Sequence, residues 1–266
     1  MGFKCGIVGL PNVGKSTLFN ALTASKNAEA ANFPFCTIDP NIGIVDVVDE
    51  RLDQLTKLSN SKKKIYTNIT FVDIAGLVKG ASKGEGLGNK FLSHIREVDA
   101  IIHLVRCFES DKITHVNSKI NPVDDLETIK TEIILSDLDI IQKKLEKGKK
   151  KLLQDKEVKI LEEKLSQLNE GKEVIVKDEF EKKFLSNMGL LSIKPKIIVC
   201  NVDEESLANG NTFTESVKKI YSNEKIVTIC ADIEDQIMGL DNNERETFMK
   251  EIGLNKTGLN QLIKEG

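Results

Sequence analysis

One octapeptide, GLPNVGKS at residues 9–16, constrains the fold more than any other part of the chain. It matches the pattern G-x-x-x-x-G-K-[ST], directly after the apolar run Phe3 to Val8 and directly before a segment with the period of an amphipathic helix. In a loop between a strand and a helix, small glycines let backbone N–H groups point at phosphates, and the helix dipole favours their negative charge. The pattern therefore predicts a nucleotide-binding loop. Its expected ligand contacts are Asn12, Val13, Gly14, Lys15, Ser16 and Thr17.

Further apolar segments, rich in β-branched residues, alternate with helical stretches along the chain. Polar residues, glycine or proline bound each of them, as is typical of strands. The alternation predicts an α/β fold of the Ras-like type, with a mainly parallel, doubly wound sheet. The first two segments after the loop are also compatible with antiparallel pairing. The predicted strands after the first are Ile42 to Val48, Ile65 to Ile74, Ala100 to Val105, Lys196 to Cys200 and Lys225 to Ile229.

Between Val105 and Lys196 the pattern changes to apolar residues spaced mostly three to five apart, with lysine and glutamate between them. This spacing predicts two long helices in an antiparallel, coiled-coil-like hairpin that turns within residues 147–155. We therefore expect a nucleotide-binding core over 1–123, an inserted helical domain over 124–192, and the rest of the core with a helical tail over 193–266. The apolar residues expected to dock the insert onto the core are Phe180, Phe184 and Leu185.

Composition narrows the class of protein. The chain has 266 residues, a formal charge of -3 and a pI near 5.8, so no basic excess marks it as a dedicated nucleic-acid binder. Its five cysteines are scattered and form no C-x-x-C pair, which argues against a disulfide framework or a zinc site. No apolar run approaches the roughly 20 residues that cross a bilayer. We expect a cytoplasmic protein.

Two further positions predict a metal site beside the loop. Asp73 ends an apolar run and begins the sequence DIAG, so its carboxylate can hold Mg²⁺ together with the hydroxyl of Ser16. Gly76 can offer its N–H to the γ-phosphate, and Thr37, between the first helix and the second strand, is a candidate to close onto the same metal. Lys15 would act in catalysis by neutralising β- and γ-phosphate oxygens.

The tetrapeptide NVDE at residues 201–204 follows a predicted strand, where Ras-like proteins carry the base-reading pattern N-K-x-D. The aspartate of that pattern accepts two N–H donors of guanine, whereas Glu204 is one methylene longer. This departure favours ATP over GTP. The alternative interpretation of Asn201 is that it caps the following helix. The expected base contacts are Asn201, Val202 and Glu204, with the backbone of Cys230 and Ala231.

Hydrolysis needs a group that orients the attacking water. Ras-type enzymes carry a glutamine directly after D-x-x-G, but here the position holds Leu77, whose side chain cannot orient water. We therefore expect slow turnover. Of the three histidines, His115 has the loop position best suited to replace the glutamine, although a surface histidine without a catalytic role fits the same pattern.

These motifs together resemble the YchF/Obg-like ATPase family of translation-factor-class P-loop proteins. The similarity extends through nearly the whole chain, and its most specific parts are PFCTIDPN at residues 34–41 and NVDE at residues 201–204. The resemblance implies an ATPase that uses Mg²⁺, associates with the ribosome and regulates translation or a stress response. It also implies that His115 orients the attacking water. A GTPase of the Obg type and a nucleotide-binding scaffold without hydrolysis are the alternatives.

The resemblance carries two expectations beyond the nucleotide core. Family members have a small β-rich domain of the TGS type after the core, and this chain ends near where that domain should begin. Asn12 is similar to the loop asparagine that coordinates K⁺ in potassium-stimulated relatives, although an asparagine after proline is equally typical of a turn.

The expected partners are ATP, with GTP as the alternative, and the ribosome or ribosomal RNA. Contact with the ribosome is expected through the helical insert and through the TGS domain, which we expect this chain to lack. A run of lysines at the turn of the insert is the candidate RNA contact, because clustered positive charge neutralises phosphates, although such a run is more often a solvated helix end. The run comprises Lys143, Lys144, Lys147, Lys149, Lys150 and Lys151.

Overall fold

The sheet at the centre of the molecule has seven strands in the spatial order β2-β3-β4-β1-β5-β6-β7. The computed structural model describes residues 2–23, 28–30, 40–74, 87–110, 120–148, 153–252, 254 and 257–265. In chain order the strands are β1 (Phe3–Val8), β2 (Ala28–Ala30), β3 (Asn41–Val47), β4 (Thr67–Asp73), β5 (Ala100–Arg106), β6 (Lys196–Asn201) and β7 (Lys225–Ile229).

Parallel pairing dominates this sheet. β1 pairs in parallel with β4 and β5, and β6 pairs in parallel with β5 and β7. β3 runs antiparallel to both β2 and β4, with Asn41 opposite Asp73. The α/β class and the mainly parallel sheet are therefore confirmed, and the antiparallel option for the first two segments after the loop is correct. The sequence did not predict β2, because three residues are too few to show a period.

Ten helices surround the sheet in the described ranges, and none of them is both long and apolar enough to cross a membrane. Those before β6 are α1 (Lys15–Thr23), α2 (Glu50–Leu58), α3 (Leu87–Arg96), α4 (Pro122–Gly148), α5 (Asp155–Asn169) and α6 (Glu179–Asn187). Those after β6 are α7 (Thr212–Ile220), α8 (Ala231–Gly239), α9 (Asn242–Glu251) and α10 (Gly258–Glu265).

Strand β5 lies in the middle of the core, and every one of its residues is buried. A strand covered by helices on both faces reads as a nearly continuous apolar run, which is the pattern of this segment. Leu18 and Leu22 of α1 belong to the same apolar cluster as Ile7 of β1 and Ile102 of β5. This packing holds α1 against the sheet, so that its first turn lies at the carboxyl end of β1.

Helices α4 and α5 lie between β5 and β6 and pack against each other, which confirms the predicted helical hairpin. α4 contributes Ile129 to the core cluster around the sheet and Ile141 to a second apolar cluster in the insert. Phe184 and Leu185 of α6 lie in this second cluster, and Phe180 is 44% exposed. The prediction that these three residues dock the insert onto the core is therefore wrong. The amino-terminal half of α4 makes that contact instead.

Two buried charged groups fix the shape of the insert and its junction with the core. Asp137 of α4 is fully buried and accepts hydrogen bonds from the N–H groups of Leu191 and Ser192, both at 2.9 Å. Lys164 of α5 is also fully buried, and its Nζ lies 3.0 Å from a carboxylate oxygen of Glu181. Removing one partner of a buried pair of this kind costs about 3–5 kcal/mol, because the other charge is left without compensation.

Candidate nucleotide-binding site

Four strands end at the same edge of the sheet, and the candidate site lies there. β1 runs into the loop of residues 9–14, β4 ends at Asp73, β6 ends at Asn201, and β7 leads into Cys230. Carboxyl ends of parallel strands meet at one edge, so residues far apart in sequence come together at this position. This is the edge where ligands bind in open α/β sheets.

The loop of residues 9–14 needs glycine at both of its ends. Asn12 and Gly14 have positive φ angles of 63° and 96°. A Cβ atom on Gly14 would lie 2.4 Å from Nδ2 of Asn201, and one on Gly9 would lie 2.5 Å from the carbonyl oxygen of Leu104. Both distances are shorter than the closest contacts that a Cβ atom makes with atoms to which it is not bonded. The two glycines of the motif are therefore required by the packing of the loop, and Asn12 is among the residue types that tolerate the left-handed region.

Lys15 stands at the first position of α1 and reaches back over the loop. Its Nζ donates a hydrogen bond to the carbonyl oxygen of Leu10 at 3.1 Å. Burial lowers the pKa of Lys15, and the negative charge of Asp73 partly opposes that shift. A partly desolvated ammonium group at the mouth of the loop suits a phosphate, which would replace the weaker contact with a neutral carbonyl.

Ser16 and Asp73 bring two oxygen donors together next to Lys15. The Ser16 hydroxyl lies 3.5 Å from Oδ2 of Asp73 and donates toward it. Burial raises the pKa of Asp73, and the charge of Lys15 opposes that shift. One carboxylate and one hydroxyl form a donor set that fits Mg²⁺, which usually keeps several waters and takes its other ligands from phosphates. Within the described residues no group of three or more His, Cys, Asp and Glu side chains could hold a metal alone.

Asn201 joins the phosphate loop to the start of α8. Its Nδ2 donates to the carbonyl oxygen of Val13 at 3.0 Å, and its Oδ1 accepts from the N–H of Ala231 at 3.0 Å. The side chain is only 4% exposed. Asn201 does not cap the helix that follows it in sequence, because α7 begins at Thr212 and is capped by Asn211. It serves instead as an acceptor for the first N–H of α8.

The remaining predicted base contacts surround this bridge. Val202 is buried and its N–H donates to the carbonyl oxygen of Ile229 at 2.8 Å. Glu204 is exposed. Burial raises the pKa of the Cys230 thiol, and the charge of Glu204 adds a smaller contribution in the same direction. Glu204 and Cys230 therefore lie close enough to interact, at the end of the site away from Lys15.

Three predicted site residues, Thr37, Gly76 and His115, lie outside the described residues. Thr17 lies in α1, directly after the loop. No sequence pattern pointed to Glu234, a buried carboxyl group on α8 whose Oε1 accepts the N–H of Gly258 at 2.5 Å. The one available signal was its place one helical turn after Ala231. The position of Glu234 in the sequence does not reveal its role, because the sequence does not show that Glu234 contacts the start of α10.

Known proteins are similar to this chain in sequence and in fold. A family model described as 50S ribosome-binding GTPase matches residues 4–137. The ribosome-binding ATPase YchF of Escherichia coli O157:H7 is 50% identical over 275 residues, covering 100% of this chain and 75% of that protein. The protein of the same name in Bacillus subtilis (strain 168) is 48% identical over 275 residues, covering 99% and 75%. The chain belongs to the YchF family.

A solved structure agrees with this membership. The YchF GTPase of Schizosaccharomyces pombe has a TM-score of 0.84 to this YchF family member at 34% identity, covering 100% of this chain and 75% of that one. The comparison confirms the P-loop α/β fold with its inserted helical hairpin. The chain spans three quarters of the length of these YchF relatives.

Proposed function

We propose that this YchF family member is a ribosome-associated ATPase of the cytoplasm, which binds ATP with Mg²⁺ and hydrolyses its γ-phosphate slowly as a switch in translation or stress regulation. The observation that carries the proposal is the convergence of Lys15, Ser16 and Asp73 at the loop. The name ribosome-binding ATPase, borne by relatives about half identical over the whole chain, supports the same activity.

The phosphate end would work by charge stabilisation. Lys15 would release the carbonyl of Leu10 and bind β- and γ-phosphate oxygens, where it offsets negative charge that develops during transfer. Ser16, Asp73 and Thr37 are the proposed Mg²⁺ ligands, and the metal when bound would neutralise phosphate charge. Gly76 would donate its N–H to the γ-phosphate.

Water activation is the slow part of the proposed reaction. Leu77 cannot orient water, so we assign that role to His115 by resemblance. Asn12 is the proposed ligand for K⁺, which would place a second positive charge near the phosphates. The position of the Ras-type glutamine, held here by Leu77, supplies no group that orients water, which accounts for the slow turnover in the proposal.

The choice of base is the finest part of the proposal. Names of relatives differ here, since the bacterial proteins are called ATPases and the S. pombe structure a GTPase. Asn201 already uses its amide to hold Val13 and Ala231, so selectivity would fall on Glu204 and the backbone of Cys230. Adenine presents an N1 acceptor and an N6 donor, and the longer side chain of Glu204 supports a contact different from that of aspartate with guanine.

Calorimetric titration with non-hydrolysable ATP and GTP analogues in the presence of Mg²⁺ tests this choice. We expect the wild-type protein to bind the ATP analogue more tightly. Glu204→Asp should narrow the preference, whereas Glu205→Asp, a matched change at the exposed neighbouring position, should leave it unchanged. Tighter binding of the GTP analogue would indicate a GTPase. Tight binding of ATP without phosphate release, even with K⁺ and ribosomes present, would indicate a scaffold without hydrolysis.

The proposed ribosome contact lies on the insert, which we assign to residues 124–192. Lys143 and Lys144 are exposed near the end of α4, where Lys143 pairs with Asp139 at 2.7 Å. Charge reversal of both lysines should weaken co-sedimentation with ribosomes and reduce its dependence on salt, because fewer counterions are released on binding. Reversal of Lys182 and Lys183 on α6 is the control. Equal behaviour of the two double variants would remove α4 from the interface.

A further inference from the structure

Glu234 connects the helix that begins at the base end of the site to the last helix of the chain. It lies on α8 and is only 1% exposed. Its Oε1 accepts the N–H of Gly258, the first residue of α10, at 2.5 Å. A side chain of α8 therefore satisfies the first N–H group of α10, which has no partner within its own helix.

Gly258, at the start of α10, is also packed closely against Ile229. A Cβ atom on Gly258 would lie 2.5 Å from Cγ2 of Ile229 and 3.0 Å from Oε1 of Glu234, so the start of α10 is packed directly against the end of β7. Leu259 and Leu262 are buried in the core cluster together with Ile229. The position of α10 and the position of Ile229 are thus fixed by the same set of contacts.

Ile229 directly precedes the backbone that is proposed to face the base. Its carbonyl accepts the N–H of Val202 at 2.8 Å, and two residues later the N–H of Ala231 is held by Asn201. The connection from β7 to α8 is therefore held by Asn201 at Ala231, and it is packed at Ile229 against α10, to which Glu234 is hydrogen-bonded.

Glu234 and Thr257 cap α10 at different N–H groups. The hydroxyl of Thr257 accepts the N–H of Asn260 at 3.2 Å, whereas the N–H of Gly258 is held by Glu234. Oε2 of Glu234 is buried without a hydrogen-bond partner, which is a costly state for a carboxyl group. Burial raises the pKa of Glu234 to about 7, and Arg245 of α9 opposes that shift. A buried group of this kind is expected where it fixes a geometry that matters.

We propose that Glu234 is a positioning residue for nucleotide binding, which fixes the backbone of Cys230 and Ala231 by holding α10 against Ile229. The inference rests on the proposed function, in which this backbone faces the base. The probe that separates the two ends of the site is inorganic tripolyphosphate, which offers three phosphates and no base.

The experiment measures the affinity of the full chain, with Mg²⁺, for a non-hydrolysable ATP analogue and for tripolyphosphate. Glu234→Ala should weaken the ATP analogue about tenfold, the equivalent of about 1.4 kcal/mol or one hydrogen bond, and leave tripolyphosphate within about twofold. Glu234→Gln keeps an acceptor oxygen and should restore most of the affinity. Gly258→Ala disturbs the same contact from α10 and should cause the same loss of affinity. It replaces Glu234→Ala in the experiment if that variant does not fold.

Glu181→Gln, in a buried carboxyl group of the insert, is the matched control and should change neither affinity. Equal losses for both probes would overturn the inference, because they would indicate general loosening of the fold. An unchanged ATP affinity in Glu234→Ala and Gly258→Ala, in a wild type that prefers the ATP analogue to tripolyphosphate, would overturn the role of Glu234 alone. A wild type that binds the two probes equally would overturn the proposed base site and this inference with it.

Discussion

The phosphate end and the base end of the candidate site are built in different ways. The phosphate end comes mostly from one continuous stretch, residues 9–16, with Asp73 added from the next strand of the sheet. The base end is assembled from two separate segments, residues 201–204 and 230–231, and the amide of Asn201 bridges residues that lie 188 and 30 positions away. One end follows from a local motif, and the other follows from the topology of the sheet.

Their electrostatics differ in the same way. At the phosphate end, burial lowers the pKa of Lys15 and raises that of Asp73, and each charge opposes the shift of the other. The ammonium group of Lys15 can bind a phosphate, and the carboxylate of Asp73 can bind a metal ion. At the base end, both polar atoms of the Asn201 amide hydrogen-bond to the protein itself. In the proposed function, one end would therefore attract the ligand by charge, and the other would select it by the position of the backbone.

The largest effect that can test this contrast is expected from Lys15→Ala. Removing one preorganised group that stabilises developing charge lowers kcat by about 100- to 1000-fold, and we expect a fall of that size in ATP hydrolysis. Tripolyphosphate and the ATP analogue should lose similar affinity, because both depend on the same cation. Steady-state phosphate release and calorimetry measure the two effects. Lys57→Ala on the exposed face of α2 is the control, and a preserved kcat in Lys15→Ala would contradict the assignment.

A smaller effect, felt at both ends, is expected from Asn201→Ala. The change leaves the buried carbonyl of Val13 and the N–H of Ala231 without partners, at about 1–3 kcal/mol each, so unfolding should need about 3 kcal/mol less. Chemical denaturation measures this loss. Asn211→Ala removes a similar amide that caps α7 and contacts Cys107. Asn211→Ala should lower the stability of the protein without weakening nucleotide binding, whereas Asn201→Ala should weaken it. Equal nucleotide affinities in the two variants would contradict the contrast between the two ends of the site.

The smallest effect is a pH dependence from Glu234. Its pKa is about 7 in the folded protein against 4.5 for an ordinary glutamate, so the folded state binds the proton more tightly. The free energy of unfolding contributed by this group is therefore highest below about pH 4.5, falls as pH rises towards 7, and then levels. The fall is no more than about 3.4 kcal/mol. Glu234→Gln should lack it, and parallel stability profiles of both proteins between pH 5 and 8 would contradict the shift.

Much of this molecule could be predicted from local sequence. The glycines of the loop, Lys15 and the buried strand β5 each carry a pattern set by near neighbours, so their roles follow from spacing alone. The helical hairpin was equally accessible, because α4 and α5 show a long apolar period. Their bounds agree with the expected turn within residues 147–155 to the extent that the structure describes it.

Long-range contacts account for what could not be predicted. The alternative that Asn201 caps the next helix is wrong, because Asn211 caps α7, and base contact by Asn201 stays a prediction. Its two partners, Val13 and Ala231, are brought to it by the order of β1, β6 and β7 in the sheet. Glu234 caps a helix other than its own, and local capping rules contain no information about that. Phe184 and Leu185 carry the right apolar character for docking, but their period does not tell which of two clusters they join.

Helix α4 has a mechanical consequence. It spans 27 residues from Pro122 to Gly148 without an internal proline or glycine, and it contributes Ile129 to one apolar cluster and Ile141 to the other. A rod of this kind is about 40 Å long and has no built-in hinge. A tilt of about 5° at the sheet would therefore carry the far end through roughly 3 Å, enough to make or break a hydrogen bond at a distant surface.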